Sequence, residues 1–327
     1  MSFKDIFGHE KQITVLVASM AKDRVAQAYL FYGMRGIGKR TTAFAFAKAL
    51  NCGRAPELLD ACDACPSCLK ADHGNHPNIV NVQAEGQFIR IQTVIEIQDH
   101  MKFRPAEGGK RVFIMADADR MNAPSANALL KTLGEPSRAH VLILVTARPH
   151  FLPPTILSRC QQVRFNPLPG TIVARFLMDR LSIDRDAAQL LAAAAGGSIA
   201  QAMEINRESY LTFRQTAMNA VAAMNSEDPL ALLLFAAEFG QTQKEVTDRL
   251  AILMNCYRDA LIYKETGEVG ALINGDRLDV IEGVAGRLSG MEILGCIRTV
   301  EGALLAIERN ANKALTIEAM MFRLLKK

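Results

Sequence analysis

The sequence predicts an α/β fold, a parallel sheet covered by helices and built around a phosphate loop, followed by domains made of helices alone. Three features carry that expectation. The stretch Gly33-Met34-Arg35-Gly36-Ile37-Gly38-Lys39 lies between an apolar tetrad, Tyr29-Leu30-Phe31-Tyr32, and a helical segment from Thr42 to Leu50. Strand, glycine-rich turn and helix form the setting in which G-x-x-x-x-G-K cradles phosphate. The runs Val112-Phe113-Ile114-Met115 and Val141-Leu142-Ile143-Leu144-Val145 are apolar throughout, as strands buried on both faces are. From Thr171 onward strand signals almost vanish.

Taken in order, Phe3 to Lys22 is amphipathic, with Ile13, Val15, Leu16 and Met20 near helical spacing. The strand, the loop and its helix follow, ending at Asn51-Cys52. Residues 52–77 lose periodicity and are rich in Cys, Asp, Gly, His and Pro. Ile79-Val80-Asn81-Val82 reads as a strand, and Ile91, Val94 and Ile95 as a helix, with Gly108-Gly109 closing the connection behind it. Asn122 and Pro124 open a helix carrying Ala126, Leu129, Leu130 and Leu133 on one face. Alternating strands and helices give an α/β domain over 1–166. A small helical domain over 167–206, broken at Gly196-Gly197, and a longer helical domain over 207–327 complete the chain.

The glycines of the phosphate loop let backbone N–H groups converge on an anion, and the helix start adds its positive end. Lys39 is placed to reach terminal phosphates. The next position ordinarily supplies a Ser or Thr hydroxyl for Mg²⁺, and here it is Arg40. Thr41 does not substitute, because one helical step rotates it by about 100°. A hydrolysing loop also needs an Asp, with a Glu after it, at a neighbouring strand end. The strand ending Met115-Ala116-Asp117-Ala118-Asp119 leaves that pair incomplete whether Ala116 or Asp117 takes the metal position. The two aspartates can equally be solvated strand-end residues.

Cys52, Cys62, Cys65 and Cys68 form C-x9-C-x2-C-x2-C, the pattern of a closed, tetrahedral, structural Zn²⁺ site rather than a redox pair. They define a metal module over 52–77. Four sulfurs fill the shell, so His73 and His76 read as surface or packing residues, and Cys160, Cys256 and Cys296 as core. Ser158-Arg159-Cys160 follows Thr155-Ile156-Leu157, and from spacing alone Arg159 is a surface arginine.

A chain of 327 residues is long for one core, which implies two or three domains. A net charge of +4, with dispersed Lys and Arg, is too small to indicate nucleic-acid binding unaided. The N-terminus has no apolar core of a signal peptide and no apolar run reaches membrane length. The chain therefore reads as cytoplasmic with no membrane association, its seven cysteines thiols or metal ligands rather than disulfides.

Four motifs then converge. Gly33 to Thr41, the four cysteines with His76-Pro77, Asn127-Ala128-Leu129-Leu130-Lys131-Thr132-Leu133, and Pro154-Thr155-Ile156-Leu157-Ser158-Arg159-Cys160 resemble the AAA+ clamp-loader subunits of bacterial DNA polymerase III. That family includes the gamma/tau motor and the delta-prime subunit. The likeness covers Phe3 to about Leu168. Beyond it, Gly196-Gly197-Ser198 is similar to the family's lid motif, and Asn310 to Leu315 to its last collar helix. The resemblance therefore implies an AAA+ domain, a lid over 167–206 and a collar, or oligomerisation, domain over 207–327.

Departures from the motor pattern imply which branch. In motor members the metal Asp lies eleven positions before the Asn of the Asn-Ala-Leu-Leu-Lys motif, and counting back from Asn127 lands on Ala116. Asp117 then holds the Glu position, Arg40 removes the magnesium hydroxyl, and Ala200 stands where an active lid carries a sensor Arg. Three losses with Ser158-Arg159-Cys160 retained imply a delta-prime-like stator that does not hydrolyse ATP itself. Arg159, beside Ser158, would be an arginine finger acting in trans. Gly33, Gly36, Gly38, Lys39, Thr41 and Thr146, the last at the position of a nucleotide-sensing Thr, would form a degenerate site with weak or absent ATP binding. The partners implied are gamma/tau and delta in a pentameric ring that loads the sliding clamp on primed DNA, as an accessory to a DNA-directed DNA polymerase (nucleotidyltransferase). A gamma/tau-type ATPase is the rival reading, and a zinc-dependent nucleic-acid-binding module the third. Gly134 interrupts the family's L-E-E-P without a reading.

Overall fold

Five strands, all parallel, make the sheet: β1 (Ala28–Tyr32), β2 (Ile79–Val82), β3 (Arg111–Met115), β4 (His140–Thr146) and β5 (Gln161–Arg164), in the spatial order β2-β3-β4-β1-β5. The structure, a computed structural model, describes residues 1–84, 86, 88–134, 139–223 and 234–325. It divides into two units, Met1–Phe176 with Gly196–Gln201, and Leu177–Ala195 with Ala202–Lys327.

In the first unit the apolar runs are central strands because both of their faces are covered. Tyr29, Phe31, Val112, Ile114, Val141 and Ile143 join one cluster with Leu16 of α1 (Glu10–Ala21) and Phe46 of α2 (Lys39–Asn51). The alternate residues Leu30, Phe113, Met115, Leu142 and Leu144 join a second with Val94 of α5 (Ile91–Met101) and Leu129 of α6 (Ala123–Gly134). Between α2 and β2 lie two short helices, α3 (Ala55–Leu58) and α4 (Pro66–Asp72), and α7 (Pro154–Leu157) precedes β5.

The four strands read from the sequence form in register, and a fifth joins them. In β5 only Val163 is buried, so Gln161-Gln162-Val163-Arg164 carries no apolar run. Backbone pairing with β1 alone makes it a strand. The α5 helix forms as read. Val94 and Ile97 are buried while Ile91 and Ile95 are exposed, because the sheet accepts the 94/97 stripe.

The second unit is helical: α9 (Arg185–Ala194), α11 (Arg207–Ala223), α12 (Gln243–Thr266), α13 (Leu278–Arg287), α14 (Gly290–Glu308) and α15 (Lys313–Leu325). The chain passes between the units within α8 (Gly170–Leu181), again between Ala195 and Gly196, and finally within α10 (Ile199–Glu204). Thr242 and Glu245 cap the start of α12 reciprocally, and Gly267, left-handed at φ 70°, ends it. Among the described residues no helix is long and apolar enough to cross a membrane.

One buried polar network pins α12. Asp259 is fully buried and accepts hydrogen bonds from Asn274 N (2.7 Å), Asn274 Nδ2 (2.7 Å), Ile273 N (3.2 Å) and Arg258 Nη1 (2.9 Å). Asn274 Oδ1 in turn accepts from Arg214 Nε at 2.7 Å. Removing one carboxylate strands several buried donors, each costing about 1–3 kcal/mol. Asp259→Ala should lower stability by at least about 2 kcal/mol, measured by denaturant unfolding, whereas an exposed neighbour such as Glu265→Ala should stay within about 0.5 kcal/mol.

Candidate nucleotide-loop and metal sites

The phosphate loop leaves the C-terminal end of β1 with Gly33, Gly36 and Gly38 at φ 146°, 76° and 101°. Gly33 has no room for a side chain, since a β-carbon there would sit 2.1 Å from Phe165 O. At Gly36 it would meet Ser198 Oγ at 2.3 Å and Ala200 Cβ at 2.8 Å. The segment from Gly196 thus closes over the loop, and Ala200 N donates to Gly36 O at 3.1 Å. From the other side His9 donates Nε2–H to Ile37 O at 2.6 Å and sets its ring edge against Phe165.

Lys39 turns back onto its own loop, donating to Gly33 O (2.7 Å) and Met34 O (2.6 Å). Burial pulls its pKa down to about 8 against the pull of Asp117 and Asp119. Arg40 and Thr41 are exposed on the first turn of α2, while Thr42 is buried and donates Oγ1 to Gly38 O at 3.0 Å. The hydroxyl next to Arg40 is therefore on the outer face, as the helical rotation requires.

Register aligns the remaining groups on this edge of the sheet. Tyr32 pairs with Thr146, which places Thr146 beside the loop's first residue. Its hydroxyl is engaged twice, donating to Asp119 Oδ1 at 2.6 Å and accepting from Arg148 N at 2.9 Å. Arg148 holds the other carboxylate oxygen through Nε (2.8 Å) and Nη2 (2.6 Å). The Asp119 side chain is only 4% exposed, so it is not a solvated strand-end group. Burial pushes its pKa up, but Thr146 and Arg148 outweigh that and hold it below the ordinary carboxylate value. Asp117, left-handed at φ 49°, is exposed, and Ala116 contributes only a methyl.

Ser158 and Arg159 sit at the opposite edge. Gln161 pairs with Tyr29 and Arg164 with Tyr32, so β5 begins beside the start of β1, about 10 Å of strand from where the phosphate loop leaves. Arg159 lies two residues before Gln161, on the N-terminal side of β5. It is exposed and donates Nη1 to Thr155 O at 2.9 Å, as Ser158 Oγ does at 3.2 Å. Among the described residues it has no carboxylate partner. Cys160 behind it is buried, which pushes its thiol up to about 12.

The four cysteines come together around the end of α2. Their sulfurs lie within 4.8 Å of one another, with Cys52–Cys65 at 4.0 Å and Cys62–Cys68 at 3.9 Å. A tetrahedral centre with metal–sulfur bonds of about 2.3 Å spaces its sulfurs about 3.8 Å apart, so the donor set fits. Backbone amides point at three of them: Cys62 N at Cys52 Sγ, Cys65 N at Cys62 Sγ and Cys68 N at Cys65 Sγ, at 3.4, 3.3 and 3.4 Å. Amide donors favour thiolate, and those of Ala64 and Cys65 bring Cys62 down to about 6. The apolar cover is slight, since only Cys52, Ala61 and Cys68 form its buried cluster. His76 is buried, unlike the exposed His73, and accepts from Asn78 N at Nδ1 (3.1 Å) while Nε2 meets Ser67 Oγ (2.9 Å).

Against known proteins, a family model described as DNA polymerase III, delta subunit, matches residues 8–169. The DNA polymerase III subunit gamma of Buchnera aphidicola (subsp. Acyrthosiphon pisum) is 30% identical over 83% of this chain and 71% of its own length. The chain belongs to the family of DNA polymerase III delta-prime and gamma/tau subunits. Within it, the subunit delta' of Bacillus subtilis is 29% identical over 317 residues, 95% of this chain and 94% of its own. By contrast, the chain spans only 33% to 38% of the tau relatives it matches. A DNA polymerase III gamma subunit-related protein of Thermotoga maritima aligns in structure over 96% of this chain and 98% of its own, at 18% identity and a TM-score of 0.40.

Three residues of these sites carry no motif in the sequence: His9, Arg148 and Lys48. Lys48 alone leaves a signal, a lysine among small and apolar residues in Ala43 to Leu50. His9 supports a pH test. Burial lowers its pKa below 6.5, so the native state binds fewer protons than the unfolded chain and stability is lost as pH falls through 6.5. Thermal unfolding between pH 7.5 and 5.5 should show that loss, and His9→Asn, which tolerates the left-handed φ of 64°, should be less stable at pH 7.5 yet show a shallower decline. His76, also lowered by burial, keeps the decline from vanishing.

Proposed function

We propose that the chain is a delta-prime-like stator of a bacterial clamp loader, which hydrolyses no ATP and completes a neighbour's ATP site with Arg159. The observation that carries this reading is the placement of Arg159 on the sheet edge opposite its own phosphate loop, exposed and, among the described residues, without a carboxylate partner. A guanidinium there cannot serve the loop that Gly33 begins. Phosphoryl transfer spreads negative charge over the γ-phosphate oxygens, and a planar fork of donors supplied by an adjacent protomer neutralises it.

The groups on the loop's own edge support the same reading. Lys39 bonds loop carbonyls, the Thr146 hydroxyl is taken by Asp119, and Arg148 neutralises that carboxylate. No hydroxyl stands at position 40 and no acid at position 116 to hold Mg²⁺. The remaining assignments follow. The ring is a pentamer with gamma/tau and delta, it places the sliding clamp on primed DNA in the cytoplasm, and the chain divides into an AAA+ domain over 1–166, a lid over 167–206 and a collar over 207–327. Cys52, Cys62, Cys65 and Cys68 hold one structural Zn²⁺, which fixes the segment that its small apolar cluster cannot.

The test is a loader reconstituted with gamma/tau, delta, clamp and primed DNA. Arg159→Ala should change stability by no more than about 0.5 kcal/mol. At the one site it serves, hydrolysis should fall by about 10³ to 10⁵, so total turnover falls in part and clamp loading falls further. Arg159→Lys should not rescue it, because a point charge lacks the fork. Unchanged turnover and loading would return Arg159 to an ordinary surface residue.

A further inference from the structure

We infer that Lys48 is the positioning residue of the cysteine centre, the one buried cation among the described residues that is bonded to both ligand-bearing segments. The inference rests on the zinc reading above. Lys48 lies one helical turn before Cys52, on the same face of α2. Its side chain is fully buried, and Nζ donates to Asp63 Oδ1 and Asp72 Oδ2, each at 2.5 Å. Asp63 directly follows Cys62, and Asp72 lies four residues after Cys68 on α4. One ammonium therefore grips the loop between the second and third ligands and the helix that carries the fourth.

Charge makes that grip necessary. Four thiolates on a divalent ion leave a net −2, and Asp63 and Asp72 bring the neighbourhood to −4. The other amines on these carboxylates, Lys4 Nζ at 3.3 Å from Asp63 and the Met1 amine at 3.2 and 3.1 Å, are 65% and 53% exposed, where screening leaves an ion pair little strength. The buried countercharge is Lys48. Asp63 also adopts a left-handed φ of 57°, so the loop is bent to bring its carboxylate in. Without Lys48 two carboxylates would face each other beside the tetrathiolate, and the apolar cluster of Cys52, Ala61 and Cys68 is too small to hold the segments together.

The experiment uses the full chain loaded with zinc, reading zinc affinity by competition with a chromogenic chelator and ligand geometry from the visible spectrum of the Co²⁺-substituted protein. Wild type should hold about one zinc per chain and give the intense bands of tetrahedral sulfur ligation. Lys48→Met should weaken zinc affinity by about 10- to 100-fold, the range for residues that orient metal ligands, and reduce or shift the Co²⁺ bands. Asp72→Asn, a milder change at a side chain 32% exposed, should move both readouts the same way by less, which covers the case in which Lys48→Met fails to fold. Zinc-loaded variants with wild-type affinity and an unaltered Co²⁺ spectrum would overturn the role of Lys48. Wild-type protein that takes up neither metal would overturn the zinc reading, and the inference with it.

Discussion

Fixing α2 at both ends is the constraint on which the first unit depends. At its start three glycines take backbone angles that side chains rarely allow, and two of them are pressed so closely by Phe165 O and Ser198 that no β-carbon fits. At its end the helix runs directly into Cys52, with Lys48 bonded to the two carboxylates that flank the other cysteines. Between those anchors Phe46 and the small residues of α2 pack on the central strands. A shift at either end of α2 would therefore be felt at the other, through thirteen residues of helix that span roughly 20 Å.

The sheet's polarity divides the chemistry. Parallel strands send all their C-terminal ends to one edge, and there three groups that could handle a nucleotide have internal partners. Lys39 is bonded to loop carbonyls, Thr146 to Asp119, and Asp119 to Arg148. Ala200, packed on Gly36, offers this edge only a methyl. The other edge carries Arg159, exposed and bonded to a single backbone carbonyl. Internally bonded groups beside the loop and an exposed arginine at the far edge are what a subunit needs if it acts on its neighbour's phosphates and not its own.

Much of this was legible in the sequence, for physical reasons that differ between elements. Central strands announce themselves because both faces are buried, so β3 and β4 are apolar without interruption. The clustering of the four cysteines was legible because two consecutive x2 spacings on one short segment bring their sulfurs together. The edge strand β5 was not, since its hydrogen bonds to β1 demand nothing of Gln161, Gln162 or Arg164 as side chains. The helix α5 was legible but its inward face was not, because Ile91 and Ile95 match a helical stripe as well as Val94 and Ile97 do. The bonds of Asp119 to Thr146 and Arg148 join residues 27 and 29 positions apart, and only strand register brings them together.

The central claim, that the chain's own phosphate loop does no hydrolysis, is tested most directly by steady-state ATP turnover of the purified chain alone with Mg²⁺ and primed DNA. Turnover should not exceed that of a Lys39→Ala control, with or without DNA. DNA-stimulated turnover that Lys39→Ala abolishes would contradict the account and make the chain an active gamma/tau-type motor.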